Sequence, residues 1–441
     1  MASIAGSFAS GISRPIFALA FLFYLLFIPE QFNTTIFGMY ISPYRIFLIG
    51  SSVFVIRHAL QSRIVWAWPD LLIVVGVFWI WLSSYFISGE VSVMFARGGA
   101  HFIDIALGYF LVRASISTSR DFRHFLVLIA PAVATIGLIV AIESVSHRLF
   151  VSEIASAITG VSAKVRYDVR MGLARGVGPF PHPILCGIFL ASFLPIYLIS
   201  GLRGWPKVAG ALGSVGAVFT MSTAAALGLN LGVLLLGYDW FTERFRNVTW
   251  SLFVSFGGML YLAVEIASNS GAYGLMVRYV ALNAGSAYNR VLIWRFGTES
   301  ILQNPWLGIG YDDWDRPMWM HSGSFDHFWL ILALRFGIPA LVCFLLASLL
   351  ALAMIMRRST KSTQVDARLM RGVAISLAIF VIGVCSVSLW LAPLVWFFML
   401  VGVGVSLAVS PEARTALAPP QPPAIHLNRR PRRSRSSPAR A

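Results

Sequence analysis

The chain has 441 residues, 58% of them hydrophobic and only 12% charged, with a formal net charge of +16. Soluble domains average roughly 25% charged residues and could not bury this much apolar surface, so a soluble enzyme is excluded. The basic excess sits in short clusters between apolar runs and in the tail His426 to Arg440 rather than on one amphipathic face, which argues for membrane topology and against nucleic acid.

The fold class expected from this composition is all-α, a polytopic integral membrane protein of about 12 transmembrane helices with two long outer loops. Arg14 followed by the apolar run Ile16 to Ile28 has the shape of a signal peptide, but no small-x-small cleavage site follows, so the run is taken as the first span. A bilayer core needs roughly 20 apolar residues per helix. Spans are expected at about 13–28, 41–56, 69–88, 95–112, 122–143, 183–200, 206–221, 223–238, 248–267, 328–356, 371–390 and 393–409. Every second connection is basic: Arg57 and Arg63; Arg113, Arg120 and Arg123; Arg203 and Lys207; Arg244 and Arg246; then Arg357, Arg358, Lys361, Arg368 and Arg371. Cytoplasmic loops carry the Lys/Arg excess, so both termini are expected in the cytoplasm. Residues 1–410 then form the membrane unit. Residues 411–441, rich in Pro, Arg and Ser, have the composition of a disordered basic tail lying against anionic lipid. Cys186, Cys343 and Cys385 all fall inside apolar runs and offer neither a disulfide framework nor a spaced metal site.

Two outer segments, about 145–182 and 268–327, break the rule of short loops. The first carries Arg148, Lys164, Arg166, Arg170 and Arg175, the second Arg278, Arg290, Arg295 and Arg316. Positive charge on the outer side opposes the orientation bias and suggests the gripping of an anion. Loops of this length are usually functional or disordered, and their Tyr, Trp, Phe and Gly-Pro content favours function.

The second segment reads Ala287-Tyr-Asn-Arg290-Val-Leu-Ile-Trp294, then Asn304-Pro-Trp-Leu-Gly-Ile-Gly310, then His327-Phe-Trp-Leu330 and Gly337-Ile-Pro339. This order of an Arg and Trp, an N-P-x-x-G-x-G turn and a His opening a helix resembles the bacterial O-antigen ligase and polysaccharide polymerase superfamily. Upstream, Arg175-Gly-Val-Gly-Pro-Phe-Pro-His182 resembles that family's preceding outer loop, so the resemblance covers about 170–345. It implies an inner-membrane glycosyltransferase that transfers or polymerises a polyprenyl-diphosphate-linked glycan in O-antigen, lipopolysaccharide or exopolysaccharide biosynthesis. No nucleotide sugar, metal or cofactor is implied. The implied partners are the lipid-linked donor, a glycan or lipid A-core acceptor, membrane lipids and other polysaccharide-assembly proteins.

On this resemblance Arg175 and Arg290 would grip the leaving diphosphate, since a guanidinium is permanently charged and matches phosphate with a planar fork. His327, with an ordinary pKa of about 6.5, would accept the proton of the attacking hydroxyl. His321 stands in reserve for it, and Asp326 would orient His327 or cap the following helix. Where the family often has a Ser-Arg pair, this chain reads Met221-Ser222-Thr223-Ala224. Arg170 or Arg278 would have to supply the missing cation.

Two other patterns have plainer readings. Asp312-Asp-Trp-Asp315 looks like a metal-binding D-x-D, but that motif works in a nucleotide-binding sheet, so a polar turn is expected. Arg97, His101 and Asp104 share a helical face, as a proton relay or as a mutually satisfied cluster. The relay would suit the alternative function, a secondary transporter or lipid-linked glycan flippase, although no internal repeat supports one. No G-x-x-x-x-G-K-[ST] loop is present to drive a pump. Polymerase versus ligase, the sugar, the linkage and the acceptor stay open.

Overall fold

Apolar runs of this kind become helices, the local structure that satisfies its own backbone groups without water. The computed structural model describes residues 13–410 except 37, 246, 269–270, 281–283 and 321–322, and of 276–280, 284 and 286 the backbone only. His321, the Arg278 side chain and the tail 411–441 therefore lie outside the described residues.

Five helices are long and apolar enough to cross a membrane: Trp68–Ser88, Ser119–Ser146, Thr223–Arg244, Trp250–Ala267 and Ile338–Ser359. The other seven expected spans coincide with helices that are shorter, more polar or interrupted. Arg14–Leu25 and Ala392–Ala408 are short, for example, while the helix over 91–115 widens to π turns at Met94–Gly98 and Phe102–Leu107. The only strand pairs among the described residues are two small antiparallel hairpins, Thr34–Ile36 with Met39–Ile41 and Val169–Arg170 with Leu173–Ala174.

Three expectations shift. The expected span 328–356 is two helices, Phe328–Phe336 and Ile338–Ser359, divided at Gly337. Gly337 has φ +84°, and a Cβ there would collide with the carbonyl of Trp306. The Asn304–Gly310 turn docks into this break: Ile309 N–H donates to Leu334 O (2.8 Å), Gly310 N–H to Arg335 O (3.0 Å) and Ile338 N–H to Pro305 O (2.7 Å). The first two bonds occupy carbonyls left without partners at the end of one helix, and the third an N–H left at the start of the next, so the N-P-x-x-G-x-G motif builds structure here. The expected span 371–390 also ends early. The helix is Gln364–Gly383, and 384–391 is a non-helical segment leading to Pro393 at the start of Ala392–Ala408. Finally, the long outer segments contain helices of their own, Phe150–Thr159 in the first, Gly271–Val280 and Ala284–Gln303 in the second.

The helix Ala392–Ala408 is apolar on all sides and buried almost throughout, as such a helix must be. Its Trp396 stacks on Phe193 with centroids 4.6 Å apart and meets Phe23 and Phe189 edge-on. Arg113, counted in the sequence as a loop charge, is only 5% exposed and paired with buried Asp70 (Nε to Oδ1 2.8 Å), so its charge is neutralised within the protein. Other basic ends pair across the chain: Arg123 with Asp366 (2.7 Å), Arg368 with Glu243 (2.6 Å) and Arg371 with Asp239 (2.6 Å). Ends expected on one side of the membrane thus lie together.

Candidate functional site

The hairpin carrying Arg170 turns through Met171 (φ 51°) and Gly172 (φ 78°), the two left-handed residues of a type I′ turn. It delivers Arg170 and Arg175 to the turn at Thr220–Met221: Arg175 Nε approaches Thr220 O and Arg170 Nη1 approaches Met221 O, both at 3.4 Å, and both guanidiniums share Asp168. This is the turn where the Ser-Arg pair is missing. Arg170 brings a cation to it from another part of the chain.

Arg175 is 7% exposed, and its Nη2 has no hydrogen-bond partner among the described residues. Burial first, then the charge of Arg170, pushes its pKa down to about 10, and Arg290 adds to the effect. Arg290, 4% exposed on the helix Ala284–Gln303, is likewise lowered by burial and by Arg170, against the attraction of Asp326. Its Nε donates to Ser386 O at 3.0 Å. Three arginines from two outer segments therefore repel one another around two carboxylates, Asp168 and Asp326. The cluster would be eased by a bound anion.

His327 caps the helix Phe328–Phe336, its Nδ1 accepting from Leu330 N–H at 3.2 Å. Its Nε2 is buried without a partner among the described residues, beside the rings of Tyr273 (5.8 Å) and Trp294 (5.7 Å). Burial holds its pKa down at about 4. Asp326 takes a hydrogen bond from Ser324 Oγ (2.9 Å) and acts electrostatically on Arg290 and His182.

Residues 208–345 match a family model described as O-antigen ligase. Over that stretch, about a third of the chain, the sequence is similar to the O-antigen ligase family. The matched stretch includes Arg290, Asp326 and His327, while Arg170 and Arg175 are joined to it by the fold. No curated protein matches the chain.

Three contributors to this candidate site were missed in the sequence. His182 caps Pro183–Ala191 as His327 caps its helix, with Nδ1 accepting from Ile184 N–H (3.2 Å), and burial and Arg175 press its pKa down to about 4. Its position in the quoted motif was the available signal. Glu143, fully buried in the helix Ser119–Ser146, accepts from Val177 N–H (3.0 Å) and Gly178 N–H (2.7 Å), fixing the loop just after Arg175. A lone carboxylate inside an apolar run was its signal. The segment 384–391 supplies Ser386 O to Arg290, Cys385 O to the Tyr273 hydroxyl (3.0 Å) and Trp390 against His182 (6.3 Å between centroids), with nothing local to announce it.

The remaining sequence candidates fall elsewhere. Asp313 is engaged by Arg316 and by Trp314 N–H, as expected of a polar turn. Asp104 pairs with Arg45 (Nε to Oδ1 2.9 Å, Nη2 to Oδ2 2.5 Å), and His101 Nδ1 lies 2.9 Å from Arg97 O. Among the described residues, no three His, Cys, Asp or Glu side chains converge as a metal-ligand set.

Proposed function

We propose that the chain is a glycosyltransferase of the bacterial inner membrane, transferring or polymerising a polyprenyl-diphosphate-linked glycan at the outer face in O-antigen or exopolysaccharide assembly. The observation that carries this reading is the convergence of Arg170, Arg175 and Arg290, with the unpartnered Arg175 Nη2, while His327, its Nε2 unpartnered, packs beside Tyr273, which lies in the field of Arg290. An acceptor hydroxyl oxygen attacks the anomeric carbon, the bond from that carbon to the diphosphate oxygen breaks, and the diphosphate departs with the electron pair. Buried arginines aimed at that oxygen stabilise the charge that develops there and make a metal unnecessary.

His327 has a more constrained role than its residue type suggests. With Nδ1 accepting a hydrogen bond, a neutral imidazole carries its proton on Nε2 and presents a donor. It becomes the base for the acceptor proton when the bond to Leu330 is released. Arg175, Arg290 and His327 are all under a tenth exposed, so substrate entry requires the outer helices Gly271–Val280 and Ala284–Gln303 to shift. The transporter alternative is weakened because Arg45 engages both oxygens of Asp104, the only carboxylate of the proposed relay.

The test is transfer by the purified protein in neutral-lipid nanodiscs, supplied with a polyprenyl-diphosphate oligosaccharide and acceptor in the presence of chelator. Wild type is expected to form product, and Arg175→Gln and Arg290→Gln are not. Activity that requires a divalent ion would promote Asp312, Asp313 and Asp315, and full activity in both variants would remove the arginines. In a deletion strain, single repeats without polymer would indicate a polymerase, and polymer left on its carrier a ligase.

A further inference from the structure

A cavity of about 580 Å³ is lined in part by Trp390, whose ring also lies 6.3 Å from that of His182. Its charged lining is Arg45, Arg97, Lys164, Arg335, Glu30 and Asp104, four cations against two carboxylates, so it carries two uncompensated positive charges. Arg45 is neutralised by Asp104. Arg97 and Arg335 instead both stack on Tyr311, 4.7 and 4.3 Å from its ring centroid, and among the described residues neither has a carboxylate within ion-pair distance. Two like charges held on one ring without a counterion favour an anion between them.

An apolar groove of about 430 Å³ adjoins this cavity, sharing Met39 and Ala96 with it and walled by Ile41, Ile46, Ile49 and Phe95. A basic, aromatic-lined chamber continuous with an isoleucine groove matches an amphiphile whose head bears phosphate and whose tail is a hydrocarbon chain. The chamber greatly exceeds one phosphate in volume, and Trp390 provides an aromatic surface for a sugar ring.

We infer that this cavity and groove bind a second phosphate-bearing, lipid-linked saccharide, the acceptor, with its head on Arg97 and Arg335 and its chain along the groove. The acceptor assignment rests on the transfer reading above; the lipid-phosphate site does not. Trp390, which borders the cavity and neighbours His182, would then stand between the two binding regions along the chain fold.

The probe is radiolabelled farnesyl diphosphate, bound to the full chain in phosphatidylcholine nanodiscs. Wild type is expected to bind two equivalents, one at each arginine set. Arg97→Gln combined with Arg335→Gln should weaken one of them at least tenfold and leave the other, and neutral farnesol should not compete. If that double variant fails to accumulate, Tyr311→Leu, at an exposed position, should weaken the same equivalent. A single wild-type equivalent insensitive to Arg97 and Arg335, equal competition by farnesol, or displacement of the second equivalent in phosphatidylglycerol nanodiscs would overturn the assignment. If Arg175→Gln with Arg290→Gln changed nothing while the Arg97 and Arg335 variant lost binding, this site would stand and the donor assignment would fall.

Discussion

Arg290 holds itself in place with Nε on Ser386 O, which leaves the two terminal nitrogens of its planar fork for an anion. A Lys ammonium has neither that second donor nor the fork, so Arg290→Lys is expected to lower transfer by roughly a hundredfold while membrane accumulation, followed by immunoblot, stays normal. Wild-type rates in that variant would remove Arg290 from the site. For His327 the structure changes the expected pH profile. An ordinary histidine would lose its neutral form as pH falls through about 6.5. Burial depresses this one to about 4, so the neutral imidazole persists down to roughly pH 5 and activity should fall only as pH drops through 4. The folded state disfavours the proton that the unfolded chain accepts, so the same group also removes stability over that interval, from about 6.5 down to 4. His327→Asn separates chemistry from capping, because Asn is a good N-cap: it should keep thermal stability within about 1 kcal/mol and still abolish product. Normal product from His327→Asn would assign the histidine a purely structural part. That Arg175, Arg290 and His327 could be picked from the sequence depended on their placement in motifs. Burial, tautomer and pKa depend on the packed surroundings and left no local mark.

At the level of elements, the loop 175–178 and the break at Gly337 shape the candidate site. Glu143 accepts two backbone N–H groups as a carboxylate, a type of bond worth about 1.5–3 kcal/mol each. Glu143→Gln keeps one carbonyl oxygen and Glu143→Leu keeps none. Donor KM is therefore expected to rise modestly in the first and steeply in the second, with the pH profile of kcat unchanged. Equal kinetics in both variants would show that the loop needs no clamp. Gly337→Ala forces a left-handed residue and a clash with Trp306 O, and should lower the melting temperature in detergent through a loss of roughly 2 kcal/mol or more. The segment 384–391 was hidden because its composition, Val-Cys-Ser-Val-Ser-Leu-Trp-Leu, continues the apolar run before it. Hydropathy reports burial and cannot distinguish a buried helix from a buried extended stretch.

For the whole molecule, the question is sidedness. Residues 123, 239, 243, 366, 368 and 371 meet through salt bridges, whereas 45, 97, 164, 311 and 390 line one cavity. That grouping supports the two sides drawn from the Lys/Arg pattern. Reporter fusions after Ser200 and Arg358 are expected in the cytoplasm, and fusions near Val161 and Ser286 in the outer compartment. A cytoplasmic reporter at Ser286 would place Arg290 and His327 on the wrong face and end the functional reading.

Composition alone determined that the chain is a helical membrane protein, because apolar content and the spacing of basic clusters are local properties that a bilayer reads directly. The motif around His327 likewise pointed to the O-antigen ligase family before any packing was known. Tertiary structure decided which cations meet. Arg170 and Arg175 stand more than a hundred residues from Arg290, and Ser386 and Trp390 lie further still along the chain. Their convergence comes from helix ends packing in three dimensions, which no window of sequence contains.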